Sequence, residues 1–413
     1  MKLNLKYRKS NLKTMKLAKQ ISINLLIIII LSSCTSKKKN KSFSMDGMLN
    51  YAVEKTRTTM TGLTDADSLP RNIYPDQKEW NKVGIHDWTS GFWPGILWYA
   101  YEASGDSAIL EQAQRFTLPL KGVLDVPVEN HDLGFMLYCS FGNGLRLTQN
   151  KDYHDFLLVA ADSLATLYNP KVGTILSWPS MRKKMNWPHN TIIDNMINLE
   201  LLFWAAKNGG NSSLYNIAFT HAKTCMTTLI RPDYTTYHVA VFDTLDGSFI
   251  KGVTHQGYAD DSQWTRGQGW GIYGYSMCYR ETGNEDFLIT AQKLADKFIE
   301  MMPEDVVPYW DFNDPNIPNA PKDASAAAVA ASGMLELSTF MKDEADKAKY
   351  KNAAVALLTK LSSDKYLSKD TNQAMLLHST GQKPAALEID VSIIYADYYY
   401  LEALLRLKKI ENP

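Results

Sequence analysis

Twelve stretches of this chain carry apolar residues at helical spacing, and they come in pairs: 45–62, 90–104, 107–123, 133–148, 151–168, 190–207, 212–230, 265–282, 285–302, 322–341, 344–361 and 391–408. The first helix of a pair ends near a glycine or a polar turn, and the second begins almost at once. Ser104-Gly105-Asp106, Gln149-Asn150-Lys151-Asp152, Asn208-Gly209-Gly210-Asn211 and Thr282-Gly283-Asn284-Glu285 are such turns. Glycine suits the end of one helix and Asp or Asn the N-cap of the next, so the pattern predicts helical hairpins. Second members are amphipathic, as in Phe287-Leu288-Ile289 followed by Ala291, Leu294, Ala295 and Phe298. First members are apolar nearly all round, as in Ala326 to Ser332, which describes helices buried on both sides. Six such pairs predict an all-α fold, an (α/α)6 barrel with an inner ring inside an outer one. A helical solenoid would use the same hairpins but keeps a fixed period, which the uneven spacing here lacks. The long connections 169–189 and 231–263 precede inner helices and crowd one rim. They are expected to carry a few short strands, such as Tyr237-His238-Val239-Ala240-Val241-Phe242.

A chain of 413 residues that is 45% hydrophobic can bury one large core. Its 44 Lys and Arg balance 44 Asp and Glu, which argues against a nucleic-acid partner while permitting an acidic sugar. At the N-terminus, lysines lead into the apolar run Leu25 to Leu31, and Leu31-Ser32-Ser33-Cys34 resembles a bacterial lipobox. That run is shorter than the roughly 20 residues a membrane-spanning helix needs. Residues 1–34 therefore read as a lipoprotein signal peptide with Cys34 as the lipidated residue, 35–44 as a tether and 45–413 as a single domain. Met15 opens a more ordinary signal length than Met1. Thr35 after Cys34, in place of an aspartate, leads to the expectation of a periplasm-facing outer-membrane lipoprotein. Cys139, Cys225 and Cys278 have neither disulfide nor metal spacing and are expected to be buried free thiols.

Two carboxylates sit in apolar settings at the heads of inner helices. Asp194 lies within Ile192-Ile193-Asp194-Asn195-Met196, with Asn198 four residues on along the same face, and Asp132 lies within Asn130-His131-Asp132-Leu133-Gly134-Phe135. Each alone reads as an ordinary helix cap. Placed equivalently on one ring they can converge, and burial plus mutual repulsion would raise a pKa into the range a general acid needs. Aromatic residues gather at the same rim: Trp88, Phe92, Trp93, Trp178, Trp187, Trp264 and Trp270. Singly each reads as core; together they suit the C–H faces of a saccharide. Arg266 and His238 are the cations expected to meet a substrate carboxylate, with a structural bridge from Arg266 to Asp260 or Asp261 as the alternative. Gln256 either reads sugar hydroxyls or closes a turn. Gly269-Trp270-Gly271-Ile272-Tyr273-Gly274 matches GxGxxG, but it lies inside a helical pattern with no preceding strand, so a dinucleotide site is rejected.

With these residues assembled, the chain resembles the unsaturated glucuronyl hydrolases, glycoside hydrolase family 88, through nearly all of the sequence beyond the N-terminal segment. The resemblance rests on His131-Asp132-Leu133-Gly134-Phe135, Ile193-Asp194-Asn195-Met196, Thr254-His255-Gln256-Gly257, Arg266-Gly267-Gln268-Gly269-Trp270 and Ile394-Tyr395-Ala396-Asp397-Tyr398-Tyr399-Tyr400. It implies an (α/α)6 barrel and a reaction that uses no metal and no cofactor. Asp194 then matches the general acid/base and Asp132 its partner carboxylate. His238, Gln256, Arg266 and Trp270 match substrate contacts, as do Trp88, Phe92, Phe135 and Trp178. The implied partner is an oligosaccharide ending in an unsaturated uronate. The resemblance also sets His378-Ser379-Thr380-Gly381-Gln382-Lys383 where related enzymes can meet a sulfate, although this loop departs from their pattern. Three rivals remain at this point: an unsaturated rhamnogalacturonyl hydrolase on pectin fragments, a non-catalytic lipid-anchored glycan-binding protein, and an epimerase, which would need a pair of rim histidines that the sequence does not make evident.

Overall fold

Each predicted stretch acquires its helix for a local reason, and the ring follows from how those helices must be buried. The computed structural model describes residues 43–412, so the lipobox, Cys34 and the two candidate start methionines lie outside the described residues. Besides a single turn at Met181–Lys184, the α-helices are α1 (Met45–Thr61), α2 (Phe92–Ser104), α3 (Ser107–Thr117), α4 (Asn143–Thr148), α5 (Lys151–Ala165), α6 (Asn195–Lys207), α7 (Ser213–Thr228), α8 (Thr265–Thr282), α9 (Glu285–Met301), α10 (Ala324–Phe340), α11 (Glu344–Leu361) and α12 (Ile394–Glu411). The hairpin turns work as their residues imply. Gly105 and Gly283 close α2 and α8 at φ 68° and 67°, while Asp106, Asn150 and Asn284 each accept a backbone N–H of the following helix. Such caps contribute about 1 kcal/mol each.

Even-numbered helices form the inner ring. Helix α10 is buried at every residue from Ala324 to Ser338, and α8 at every residue from Thr265 to Cys278, whereas α9 buries one stripe, Phe287, Leu288, Thr290, Ala291, Leu294, Ala295 and Phe298. The glycines of the rejected GxGxxG run serve this crowding. A Cβ on Gly274 would stand 2.4 Å from the Met196 Cβ on α6. Helix α12 packs against α2 and α1, so the last inner helix closes the ring onto the first hairpin.

Four of the predicted helices change character, and the last, 391–408, opens as a two-residue strand at Ser392–Ile393 before its helix begins at Ile394. The stretch 133–148 is a π-helix over Gly134–Gly142 before it becomes α4, so its backbone is wider where it reaches the rim. The stretch 107–123 leaves the α-helix after Thr117 and continues as a 3-10 helix through Leu118–Asp125, where Pro119 withholds an N–H. In 190–207 the first residues are strand β5 (His189–Ile192): β-branched Thr191 and Ile192 pair with a neighbouring strand, and the helix starts only at Asn195.

Rim connections carry the short strands. Besides β5 these are β1 (Leu69–Ile73), β2 (Asn81–Val83), β3 (Tyr168–Asn169), β4 (Thr174–Ile175), β6 (Val239–Phe242), β7 (Phe249–Val253) and β8 (Ser392–Ile393). They form antiparallel groups in the order β2-β1-β8, β3-β4 and β5-β6-β7. Trp187, Ile192, Val239, Val241 and Val253 give the last group its own small core. The free thiols of Cys139, Cys225 and Cys278 are buried.

Candidate active site

Every inner helix sends a side chain to the rim from its first turn or the residues just before it. Asp194 is the N-cap residue of α6, yet its side chain caps nothing. Strand β5 delivers it to the rim, and Ile193 N–H donates to the His238 carbonyl at 3.0 Å, which ties this segment to the edge of β6. Asp194 Oδ2 lies 3.8 Å from His238 Nε2, and neither atom has a hydrogen-bond partner among the described residues.

His238 is a donor, not the cation expected from the sequence. Its Nδ1 accepts the backbone N–H groups of His255 at 3.0 Å and Gln256 at 3.1 Å, so the proton resides on Nε2, facing Asp194. Burial first, then the neighbouring His255, Arg266 and His131, hold its pKa well below the usual imidazole value. A neutral imidazole therefore stands beside the carboxyl group.

The second carboxylate has the same kind of neighbour. Asn198 Oδ1 accepts the Phe135 N–H at 2.9 Å, which turns its amide nitrogen toward His131 Nδ1 at 3.4 Å. The free ring nitrogen of His131, Nε2, lies 3.5 Å from Asp132 Oδ1. Burial pushes the His131 pKa down to about 3, so this ring is also neutral. Asn198 caps the π-helix, which releases Asp132 from the cap role its sequence position suggested. His131 was not singled out in the sequence reading. His131 thus joins His238 as a second rim histidine, each beside a carboxylate and neither charged.

Burial raises both carboxyl groups. Asp194 is pushed up to about 7 by desolvation, opposed by the charge of Arg266, its own backbone N–H and the Trp270 indole. Asp132 is pushed well above the ordinary range by burial, then by the charges of Asp194 and Asp87. The pair therefore holds protons at neutral pH, with the more readily exchanged one on Asp194.

Arg266 is buried beneath this pair. Its Nη1 donates to Asp323 Oδ2 at 2.6 Å and to the Thr380 carbonyl at 2.6 Å, its Nη2 to the Gly381 carbonyl at 2.7 Å, and the guanidinium lies 4.7 Å from the Trp264 ring and 5.3 Å from that of Tyr395. The structural bridge is thus to Asp323, the N-cap of α10, and not to Asp260 or Asp261.

The aromatic set divides into two layers. Phe92, Phe135 and Trp270, at 0%, 1% and 0% exposure, present no surface to solvent and form a floor. Phe135 contacts both Phe92 and Trp270, with ring centroids 5.5 and 5.4 Å apart, and Tyr399 lies below them. Trp88 rests on this floor and against Tyr395, while Trp178 stands on the other side against His131, His238 and His255. Both of these upper rings are partly exposed. Trp88 and Gln256 share a cavity of about 290 Å³ with Gln382 of the candidate sulfate loop and with Arg71, Tyr74 and Glu388, which carry no local signal in the sequence. Lys383, the cation of the candidate sulfate loop, is drawn back onto fully buried Asp314 at 2.9 Å and over the Trp310 ring. A larger cavity of about 590 Å³ opens at the other end of the inner helices. There Glu102, Glu200 and Glu402 are matched by Arg146, Arg280 and Arg406.

Two neutral donors on two proton-bearing carboxyl groups, walled by tryptophans, suit acid/base chemistry on a sugar ring. Known proteins of similar sequence and fold are hydrolases of sugars. No family model matches the chain. Over 353 residues it is 43% identical to an unsaturated glucuronyl hydrolase of Formosa agariphila, covering 84% of this chain and 86% of the relative. It is 37% identical over 341 residues to an unsaturated chondroitin disaccharide hydrolase of Streptococcus pyogenes, covering 81% and 85%. The crystal structure of an unsaturated glucuronyl hydrolase specific for heparin superposes with a TM-score of 0.85 at 42% identity, covering 89% of this chain and 98% of that one.

Proposed function

The chain belongs to the unsaturated glucuronyl hydrolase family, and from that premise we propose that it removes the 4,5-unsaturated uronic acid from the non-reducing end of lyase-generated glycosaminoglycan oligosaccharides. The observation that carries the site assignment is a buried carboxyl, Asp194, that titrates near neutrality and faces a neutral imidazole N–H. Protonated Asp194 delivers its proton to C4 of the C4=C5 double bond, and positive charge develops at C5 and the ring oxygen. Water adds at C5, and the proton it releases returns to the carboxylate pair. The hemiketal that results opens and expels the remaining saccharide. An acid with a pKa near the working pH suits a step that first gives and then regains a proton. Asp132, at the head of the adjacent inner helix, keeps its own proton, held there by burial and by the charge that Asp194 acquires when it gives its proton up.

Trp88 and Trp178 are the walls against which the sugar packs, and the backbone of Gln256 fixes the tautomer of His238 while its side chain lines the cavity. Relatives named for chondroitin and heparin place a glycosaminoglycan fragment ahead of a pectin-derived one. The lipobox-like Leu31-Ser32-Ser33-Cys34 supports a lipid anchor on Cys34 and a periplasm-facing position at the outer membrane. Membrane fractionation of wild type against Cys34→Ser tests it, since release of the variant to the soluble fraction is the expected result and unchanged partition would refute it. The activity itself is read from loss of alkene absorbance on unsaturated chondroitin and heparin disaccharides. Wild type consumes the alkene and Asp194→Asn does not; an active Asp194→Asn would overturn the assignment of the acid.

A further inference from the structure

The cleft has walls of opposite charge. On the Trp88 side, Arg71 is held between two carboxylates: Nη1 meets both oxygens of Asp87 at 2.8 and 2.7 Å, and Nε meets Glu388 Oε1 at 2.8 Å. Asn72 Nδ2 donates to the same Glu388 oxygen at 2.6 Å. One positive and two negative groups leave this wall with a net charge of −1. On the Trp178 side the chain turns into a one-turn helix, Met181–Lys184, that carries Arg182, Lys183 and Lys184. All three basic side chains are exposed, and none forms an ion pair among the described residues. Arg182 donates only to the Pro188 carbonyl at 3.1 Å, and the ammonium groups of Lys183 and Lys184 have no hydrogen-bond partner there. Lys184 lies near enough to His255 to lower its pKa, and the His255 ring packs against Trp178 and Trp187.

This basic turn is mounted rigidly. The Trp178 N–H donates to Asn190 Oδ1 at 2.9 Å and its carbonyl accepts Asn190 Nδ2 at 3.0 Å. Trp178 and Met181 pack on the small core of the β5-β6-β7 group, the same unit that carries Asp194 and His238 to the rim. The one cation of the loop that the family resemblance pointed to, Lys383, is already neutralised by Asp314. Unpaired positive charge therefore lies on the turn beside Trp178 and His255, and the His255 ring is in turn 3.1 Å from Gln382 of the cavity that Arg71 and Glu388 line. The field of that charge draws an anionic substituent toward Lys183 and Lys184.

We propose that the Arg182-Lys183-Lys184 turn is an outer anion subsite that takes an anionic group of the leaving saccharide, a sulfate on the sugar next to the unsaturated uronate or the carboxylate of the following uronate. This deepens the hydrolase reading above and rests on it for the identity of the ligand. The acidic Arg71-Asp87-Glu388 wall repels the same group, so the two walls together set which way the leaving saccharide is turned.

The test is calorimetric binding to the full chain carrying Asp194→Asn, with and without Lys183→Gln and Lys184→Gln. The probes are an unsaturated disaccharide sulfated on the leaving sugar, its unsulfated counterpart and an unsulfated tetrasaccharide. Two exposed charge contacts predict a loss of about five-fold in affinity for the anionic probe, shrinking at high salt. Affinity for the unsulfated disaccharide stays within about two-fold on the same grounds. Loss confined to the sulfated disaccharide names sulfate as the anion, and loss confined to the tetrasaccharide names the carboxylate. Equal loss on all three probes, or no loss on either anionic one, overturns the subsite. Turnover of the unsulfated disaccharide by wild type is followed in parallel. An inert wild type with selective anionic binding would sink the hydrolase reading and leave the subsite standing.

Discussion

Replacing Asp194 by Asn should stabilise the protein while abolishing turnover, and the gain should depend on pH. In the unfolded chain this carboxyl titrates at 3.8, and in the folded one at about 7. Because the unfolded chain loses the proton first, stability falls as pH rises from about 4 and stops falling above about 7. At 1.36 kcal/mol per pH unit the cost is about 2 kcal/mol at pH 5 and about 4 kcal/mol at pH 8. Asparagine does not titrate, so any constant effect of the substitution cancels when the two pH values are compared. The remaining difference is about 2–3 kcal/mol, or about 3 °C in melting temperature for a chain of this length. Relief of Asp132, which feels the Asp194 charge, acts in the same direction. Thermal unfolding of wild type and Asp194→Asn at pH 5 and pH 8 reads the quantity directly. The reasoning is refuted if the gap between the two proteins is the same at both pH values, because Asp194 would then titrate as an ordinary surface carboxylate.

Three further outcomes follow from the same geometry. With Asp194 as the acid, kcat should fall about tenfold per pH unit above its pKa of about 7, and a steady-state profile from pH 5 to pH 9 that stays flat above pH 7 would remove it from that role. Gly134→Ala would set a Cβ 2.5 Å from Asn198 Oδ1, which accepts the Phe135 N–H while Nδ2 of the same amide meets His131. It should cost about 1–3 kcal/mol in urea unfolding and lower kcat more than KM changes. Arg266→Met leaves Asp323 buried without its cation and should destabilise by about 3–5 kcal/mol; denaturant midpoints within error of wild type would show that the network around α10 does not depend on the guanidinium.

Much of this was readable from local pattern. Periods of 3.6 residues and the Gly-then-Asp or Gly-then-Asn turns are properties of short segments, so the hairpins appear at the predicted places with caps as expected. Asp132 and Asp194 could be picked out because a carboxylate at the head of an apolar helix stands at a rim once the helices close into a ring. Local pattern also misled. The apolar run Thr191-Ile192-Ile193 reads equally as helix or strand, and pairing with β6, some 50 residues away, decides for the strand.

The sequence by itself determined most of the helices, their order and the two carboxyl groups at helix heads, because each depends on residues a few positions apart, whereas the ring closes through α12 packing on α1 and α2. The tertiary structure alone decided what those groups are chemically. His238 is a neutral donor because the backbone of residues 255 and 256 occupies its other nitrogen, and His131 because Asn198, on the next inner helix, does the same. Arg266 is bound to Asp323 and Lys383 to Asp314, so two cations that looked available are spent. Protonation state and free charge are set by burial and by partners distant in the chain, and no local period encodes either.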